Sequence, residues 1–424
     1  VYHNVISPFF DFDPSRPHLP YMKPSLSQQE FILTHENDDV RELALRYSRE
    51  DIPFLLAQIE GLQIAKDKIP SWYSNNEIIY PAHLSLEQAS SEMTAEYKKS
   101  LFAKRGEDPG DLMGKECLVD LTGGLGVDFS FLSACFRNAV YVEQNAELCE
   151  IAEHNFRILG LKNATVINER SEIFLSRMPE VDLAYLDPSR RDSAGRKVFR
   201  IEDCSPNVSE IRDLLLKKSS LLLIKYSPML DISLAVATLG NVREVHIVSV
   251  ENECKELLFI LAGETGQCVY HAVNLKKNGE KDHFSFTLEE EKRDAVLTSQ
   301  PGKYLYEPNA SLLKAGAFNA VTKCYKVKKL HKSSHLYTSD EPVPGFPGRI
   351  FEIENVFVPN KKNIRQFVAE TKKANITVRN FPMNVAQIRQ KTGLKEGGDL
   401  YLFATTLAGE QKMWVVCRKF REIQ

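Results

Sequence analysis

Two acidic residues stand where chemistry is easily built. Asp120 opens the run Asp120-Leu-Thr-Gly-Gly-Leu-Gly126, and Asp187 follows the apolar stretch Leu183-Ala-Tyr-Leu186. Gly123, Gly124 and Gly126 allow the backbone to turn tightly against a ligand, and a helix starting near Val127 would aim its free N–H groups at a carboxylate. Asp120 can take an amine, directly or through water, and Thr122 shares its turn. Seventeen residues beyond Gly126, Val140-Tyr-Val-Glu143 ends in a carboxylate that can accept both hydroxyls of a ribose, with no basic residue beside it to welcome a phosphate. The dinucleotide pattern G-x-G-x-x-G fails, because Phe129 occupies the third position, where close helix packing needs glycine. A carboxylate, an amine and a ribose without a pyrophosphate describe a methyl donor of the S-adenosylmethionine type. Glu169 and Ser171, after the third strand, fall where its adenine would lie.

Asp187-Pro188-Ser189-Arg190 closes the fourth strand, at the rim where such sheets bind ligands. It resembles the [D/N]-P-P-x motif of nucleic-acid methyltransferases, with Ser189 for the second proline and Arg190 for the aromatic residue usual in enzymes acting on exocyclic amines. The resemblance implies that the Asp187 side chain and the Pro188 carbonyl orient a base nitrogen, a catalysis of positioning. Arg190 would stack on a base or hold a phosphate. Arg191, Arg196 and Lys197 in the following loop, with Lys225 closing the fifth strand, are candidates for gripping a substrate.

These residues need a sheet. Apolar strands at 117–122, 139–143, 164–167, 181–186, 219–225, 243–250 and 256–262 have amphipathic helices between the first six, which predicts a doubly wound α/β sheet. The last two strands are too close for a crossover helix and must form an antiparallel hairpin. That plan resembles class I methyltransferases: a Rossmann-like, seven-stranded sheet. Residues 1–112 carry helical periodicity and predict an N-terminal helical domain, before a methyltransferase domain at 113–262. Residues 263–348 read as a mixed or linker segment with strand candidates at 268–275 and 283–288, and 349–424 as a small α/β domain.

Composition sets the outer limits. The 424 residues are 43% apolar and 26% charged, a globular mix with no apolar run of the roughly 18 residues that a membrane span needs. The start shows no signal peptide, so a cytoplasmic protein without a membrane partner is expected. Eight scattered cysteines lack a C-x-x-C pair and predict reduced thiols. Cys204 and Cys254 are the candidates for a nucleophile and are read as structural. His331 and His335 have helical metal-ligand spacing in a segment that reads as a loop, and no metal is expected. Charge is uneven: residues 301–424 hold 21 Lys and Arg against 10 Asp and Glu, a net +11, leaving −14 for residues 1–300. The lysines at 326, 328, 329 and 332, and at 361, 362, 372 and 373, could meet a phosphate backbone.

From about residue 60 the chain resembles a bacterial group of candidate methyltransferases with a THUMP-like C-terminal domain. The resemblance rests on Asp120-Leu-Thr-Gly-Gly-Leu-Gly-Val-Asp128, Leu186-Asp-Pro-Ser-Arg-Arg-Asp192, Gly195-Arg-Lys-Val-Phe-Arg-Ile-Glu-Asp-Cys204, Tyr304-Leu-Tyr-Glu-Pro-Asn309 and Asn375-Ile-Thr-Val-Arg-Asn-Phe-Pro382. It implies S-adenosylmethionine as cofactor and an RNA, tRNA or rRNA, as substrate. It also implies a ferredoxin-like element within 263–348 and the THUMP-like one at 349–424, although true THUMP domains are usually N-terminal and the order differs here. The expectation is therefore an RNA methyltransferase acting on a base nitrogen. The alternatives are a non-catalytic RNA-binding or assembly protein on the same fold, and a methyltransferase acting on a protein or small molecule.

Overall fold

The computed structural model describes residues 24–81, 86–103, 116–189, 200–263 and 266–420. They fall into two compact units. The first runs to Tyr226 and includes Ser233–Asn241 and Phe259–Thr265; the second comprises Ser227–Ile232, Val242–Leu258 and the chain from Gly266 onward.

The N-terminal helices, chiefly Leu26–Thr34, Val40–Arg46, Ile52–Lys68 and Glu92–Phe102, bury Leu55, Ile59, Leu62 and Trp72 in a core that also includes Val127. Their starts are capped: Ser25 and Gln28 form a capping box, and the Asp39 carboxylate accepts from the N–H groups of Arg41 and Glu42. An extended stretch at 78–80 is held by two buried amides, since Gln58 bonds both backbone groups of Tyr80 and Asn155 both those of Ile79.

The main sheet contains β1 Cys117–Asp120, β2 Asn138–Glu143, β3 Ala164–Asn168, β4 Val181–Leu186, β5 Ser219–Tyr226, β6 Val242–Val250, β7 Glu253–Ala262, β8 Val269–Leu275 and β9 Lys281–Thr287. Its order is β3-β2-β1-β4-β5-β7-β6-β8-β9. The first seven strands make the single, largely parallel sheet expected from sequence, and β8 and β9 extend it past them. β1 to β5 pair in parallel, so their C-terminal tips share one rim: Asp120 registers with Tyr141 and Tyr185, and Glu143 with Asn168. The hairpin is tighter than the expected five-residue connection. Only Glu251 and Asn252 separate β6 from β7, both at positive φ, +48° and +66°, the type I′ geometry that matches strand twist. The polar Glu253-Cys-Lys255 run, read as turn, is instead the start of β7.

The C-terminal sheet has the order β11-β12-β10-β13-β16-β15-β14, with β10 Tyr304–Pro308, β11 Lys328–Lys329, β12 Tyr337–Ser339, β13 Gly348–Phe357, β14 Asn375–Arg379, β15 Leu400–Thr406 and β16 Lys412–Lys419. Period-two alternation splits its core in two. Phe403, Val415 and Cys417 join Leu305 and Phe351 on one face. Leu402, Ala404, Trp414 and Val416 lie on the other with Ile364 and Ile388, from the helices Lys361–Glu370 and Val385–Thr392. Glu307 on β10 is buried and bonded by Arg349 and Arg379, which joins two of the sequence strings that carried the family resemblance. Among the described residues no helix is long and apolar enough to cross a membrane.

Candidate active site

The glycine turn is shaped by what surrounds it. Gly124 and Gly126 have φ of +55° and +75°, and a Cβ on Gly126 would stand 2.7 Å from the Phe156 ring, so a side chain there meets both strain and a clash. A Cβ on Gly123 would fall 2.3 Å from the Tyr141 ring. The Tyr141 hydroxyl donates to the Gly124 carbonyl. The helix after the turn, Val127–Leu132, is only six residues long, so the turn's own N–H groups matter more than a helix dipole.

Glu143 sits where the sequence placed it, at the β2 tip beside the turn. Its Oε2 accepts from Gly124 N at 3.0 Å and its Oε1 from Asn145 N at 2.9 Å, leaving each oxygen a second lone pair. Asp120 is buried, and its Oδ1 accepts from Thr122 N at 2.9 Å. Burial, reinforced by Asp128, Asp187 and Glu143, pushes its carboxyl up to about 8, so it is largely protonated at neutral pH. Ser171 donates its hydroxyl to the Leu121 carbonyl, tying the third-strand loop to the turn. Glu169 is paired with Arg177 at 2.9 Å.

The two halves of the rim are joined directly, because Asp187 N donates to Thr122 Oγ1 at 2.6 Å. Pro188 is buried. Ser189 is locked to Ser205 by reciprocal backbone bonds of 2.8 and 3.0 Å. Arg190, Arg191, Arg196 and Lys197 lie outside the described residues.

Lys225 departs from its expected role on the substrate rim. It is buried, and its ammonium lies 2.7 Å from Asp187 Oδ2 and 3.3 Å from Asp128 Oδ2. Desolvation favours two such carboxylates only as partners of a cation, so Lys225 serves Asp187 from beneath. Behind it is a knot that the sequence reading missed. Asp128 also pairs with the fully buried Lys98 at 3.1 Å and accepts from Tyr185 OH at 2.6 Å and Ser90 Oγ at 2.7 Å. Ser90 in turn accepts from Lys225 at 3.0 Å and Lys98 at 3.3 Å. Burial alone would raise the Asp128 carboxyl, but Lys98, Lys225 and the two hydroxyls outweigh it and hold it well below the usual carboxylate range. Two carboxylates and two ammonium groups thus balance behind the exposed face of Asp187, whose side chain remains 42% accessible.

Other candidates are engaged elsewhere. Burial lifts the Cys254 thiol to about 11, which leaves no thiolate for nucleophilic attack at neutral pH, and the Cys204 thiol donates to the Arg200 carbonyl. His331 bonds Glu410, Ser333 and Asn380, and His335 stacks on Phe318 at 3.7 Å. Of the basic cluster, Lys326, Lys328, Lys332, Lys361, Lys362, Lys372 and Lys373 are exposed. Lys329 is not, since it is buried with its ammonium 3.3 Å from Asn319 Oδ1 and 5.4 Å from the Phe318 ring centroid; a solvated phosphate contact from it is ruled out.

Comparison with known proteins identifies the architecture. Residues 304–347 match the family described as a ferredoxin-like domain, and residues 348–419 match the THUMP domain-like family. No curated protein matches the chain. The crystal structure of a candidate methyltransferase from Porphyromonas gingivalis W83 is 31% identical, covers 93% of this chain and 98% of its own, and superposes with a TM-score of 0.82. A precorrin-6y C5,15-methyltransferase from Geobacter metallireducens GS-15 is 14% identical, covering 43% of this chain and 93% of its own with a TM-score of 0.32. An rRNA methylase from Streptococcus thermophilus is also 14% identical, covering 39% and 93% with a TM-score of 0.29; at these scores neither bears on this chain's substrate. The match to the Porphyromonas protein runs nearly end to end, and the chain belongs to its family, methyltransferases that carry a THUMP-like C-terminal domain.

Proposed function

We propose that the chain is an S-adenosylmethionine-dependent RNA methyltransferase acting on a base nitrogen. The observation that carries the reading is the hydrogen bond from Asp187 N to Thr122 Oγ1, which ties the acceptor motif to the glycine turn. The residues present fit the donor: a turn with glycines at 123, 124 and 126 approachable by a ligand, a carboxylate at Glu143 with lone pairs to spare, and a buried Asp120 beside them. Glu143 holds the ribose, Asp120 and Thr122 the amino-acid end, and Glu169 and Ser171 flank the adenine. When bound, the donor supplies an electrophilic methyl group.

Asp187 accepts a hydrogen bond from the base, with the Lys225 ammonium at 2.7 Å keeping its carboxylate aimed. The Pro188 carbonyl, which accepts no hydrogen bond among the described residues, takes a second donor from the base. Together they point the nitrogen lone pair at the methyl group, and the rate gain comes from that alignment. Arg190, Arg191, Arg196 and Lys197 contact the RNA, and the basic residues of the C-terminal unit hold its backbone. The substrate is a tRNA or rRNA in the cytoplasm.

Two measurements test the reading. Glu143→Ala should weaken S-adenosylmethionine binding while Asp187→Ala retains it and loses transfer. Labelled methyl should reach total RNA from a strain lacking the gene, and nucleoside analysis should find it on a base. Donor binding without any labelled nucleoside would refute an RNA substrate.

A further inference from the structure

On the far flank of the main sheet, three strands bring together a group of ligating side chains with no part in the chemistry above. Glu244 and His246 lie two apart on β6, hence on one face. The register places His246 opposite His271 on β8, and His271 opposite Ser285 on β9. Glu244 Oε2 lies 3.1 Å from His246 Nε2 and 3.5 Å from His271 Nε2, and the three ligand atoms are all within 4.8 Å of one another. Three donors on one ion at bond lengths of about 2.0–2.2 Å would stand roughly 3.3–3.5 Å apart in a tetrahedron. Two of the three separations already approach that spacing, and the third is within 4.8 Å.

Two features separate this group from a chance meeting of polar residues. His271 Nε2 is sealed from solvent and makes no hydrogen bond among the described residues, an arrangement that protein interiors rarely leave uncompensated. Its other ring nitrogen is already oriented, with Nδ1 2.9 Å from Ser285 Oγ and 3.2 Å from His283 Nε2. A second partner fixing the ring of a ligating histidine is a regular feature of metal sites. The His246 and His271 rings stack nearly parallel on neighbouring strands, with centroids 4.4 Å apart, so one ring must tilt for both in-plane lone pairs to meet a single ion.

We propose that Glu244, His246 and His271 bind one divalent transition-metal ion of borderline softness, zinc or a close relative, with water as the fourth ligand. Two imidazoles and one carboxylate suit such an ion better than magnesium or calcium, which prefer oxygen donors throughout. The ion ties β6 to β8 next to the edge strand β9.

The test uses the full chain without an affinity tag, stripped with chelator and titrated with Co²⁺ and then Zn²⁺. One Co²⁺ per chain should bind, with the visible absorption of a four-coordinate ion, and Zn²⁺ should displace it and raise the melting temperature. Glu244→Gln and His271→Ala should each weaken binding by about 100-fold or more, while His331→Ala leaves it unchanged. Glu244 is partly exposed, so Glu244→Gln keeps the test informative if His271→Ala fails to fold. Absence of stoichiometric binding to the intact chain, binding that survives both substitutions, or binding lost with His331→Ala overturns the proposal.

Discussion

Asp120 offers a direct thermodynamic test of where the donor binds. Its carboxyl is raised to about 8 by burial and by three neighbouring carboxylates, so at pH 7 it is roughly nine-tenths protonated in the free protein. A donor whose ammonium group settles against it favours the carboxylate form and must expel that proton. Binding of S-adenosylmethionine, or of its demethylated product, should therefore release close to one proton at pH 6 and, after about 0.1 taken up by the donor's own amine, about 0.8 at pH 7. The dissociation constant should fall by close to tenfold per pH unit around pH 6 and by about sixfold around pH 7. The donor's own amine titrates near 8 and contributes little below pH 7. Calorimetry at pH 6.8 in buffers of small and large ionisation enthalpy measures the release as the slope of observed heat against buffer heat. Asp120→Asn retains the acceptor for Thr122 N and removes the titration, so its slope should drop to near zero. A wild-type slope near zero would show that the amine does not meet this carboxyl, and the assignment of the amino-acid end would fall.

Other consequences follow from the same geometry. Asp128→Asn leaves Lys98 and Lys225 with one fewer buried carboxylate, and urea unfolding should show a loss of about 3–5 kcal/mol; adding Lys98→Met should restore part of it. Because the Asp128 carboxyl is depressed in the folded state, its contribution is complete above the ordinary carboxylate range and should fade as the pH falls below about 4, a loss that Asp128→Asn does not show. Gly126→Ala places a methyl 2.7 Å from Phe156 at a φ of +75° and should abolish donor binding in calorimetry, with a stability loss of about 1–3 kcal/mol. Lys225→Met releases the Asp187 carboxylate and should lower kcat by about 100-fold with little change in donor affinity. Replacing Lys361, Lys362, Lys372 and Lys373 with Gln should weaken RNA binding and flatten its dependence on log salt by up to about 3; an unchanged slope would favour a protein or small-molecule substrate.

The elements that position the site were readable because each rests on a local rule. The apolar tip of β1, the glycine spacing after it and the acid at Glu143 all lie within 24 residues, and parallel pairing alone brings them to one rim. The hairpin start was misplaced because Glu253 and Lys255 are exposed and Cys254 only half-buried on a strand whose buried run begins at Glu256. Strands β8 and β9 were visible as strands but not as extensions of the first sheet, since β8 joins it through β6, its neighbour in space across the chain of β7. Likewise Lys329 has the spacing of a basic surface cluster, and only the packing of Phe318 and Asn319 against it shows that it is enclosed.

The knot behind Asp187 escaped detection for a deeper reason. Lys98 and Ser90 belong to the N-terminal helical segment, where a lysine at helical spacing ordinarily marks a solvated face. Nothing local distinguishes a lysine that meets Asp128 from one that meets water. Two hints were nonetheless present. Asp128 closes the resemblance string that contains the glycine turn, and Lys225 ends a strand of apolar residues, where a charge inside a sheet tip requires an opposite charge nearby. Taken together they assign the knot a role beyond stability. Replacing it with apolar residues would satisfy packing, as buried ion pairs often can be replaced, but it would leave Asp187 with no fixed partner. A positioning carboxylate works only if its direction is set before the substrate arrives. The cation that sets it must itself be held, and Asp128, Ser90 and Lys98 supply that hold from the N-terminal helices and the start of the glycine-turn helix.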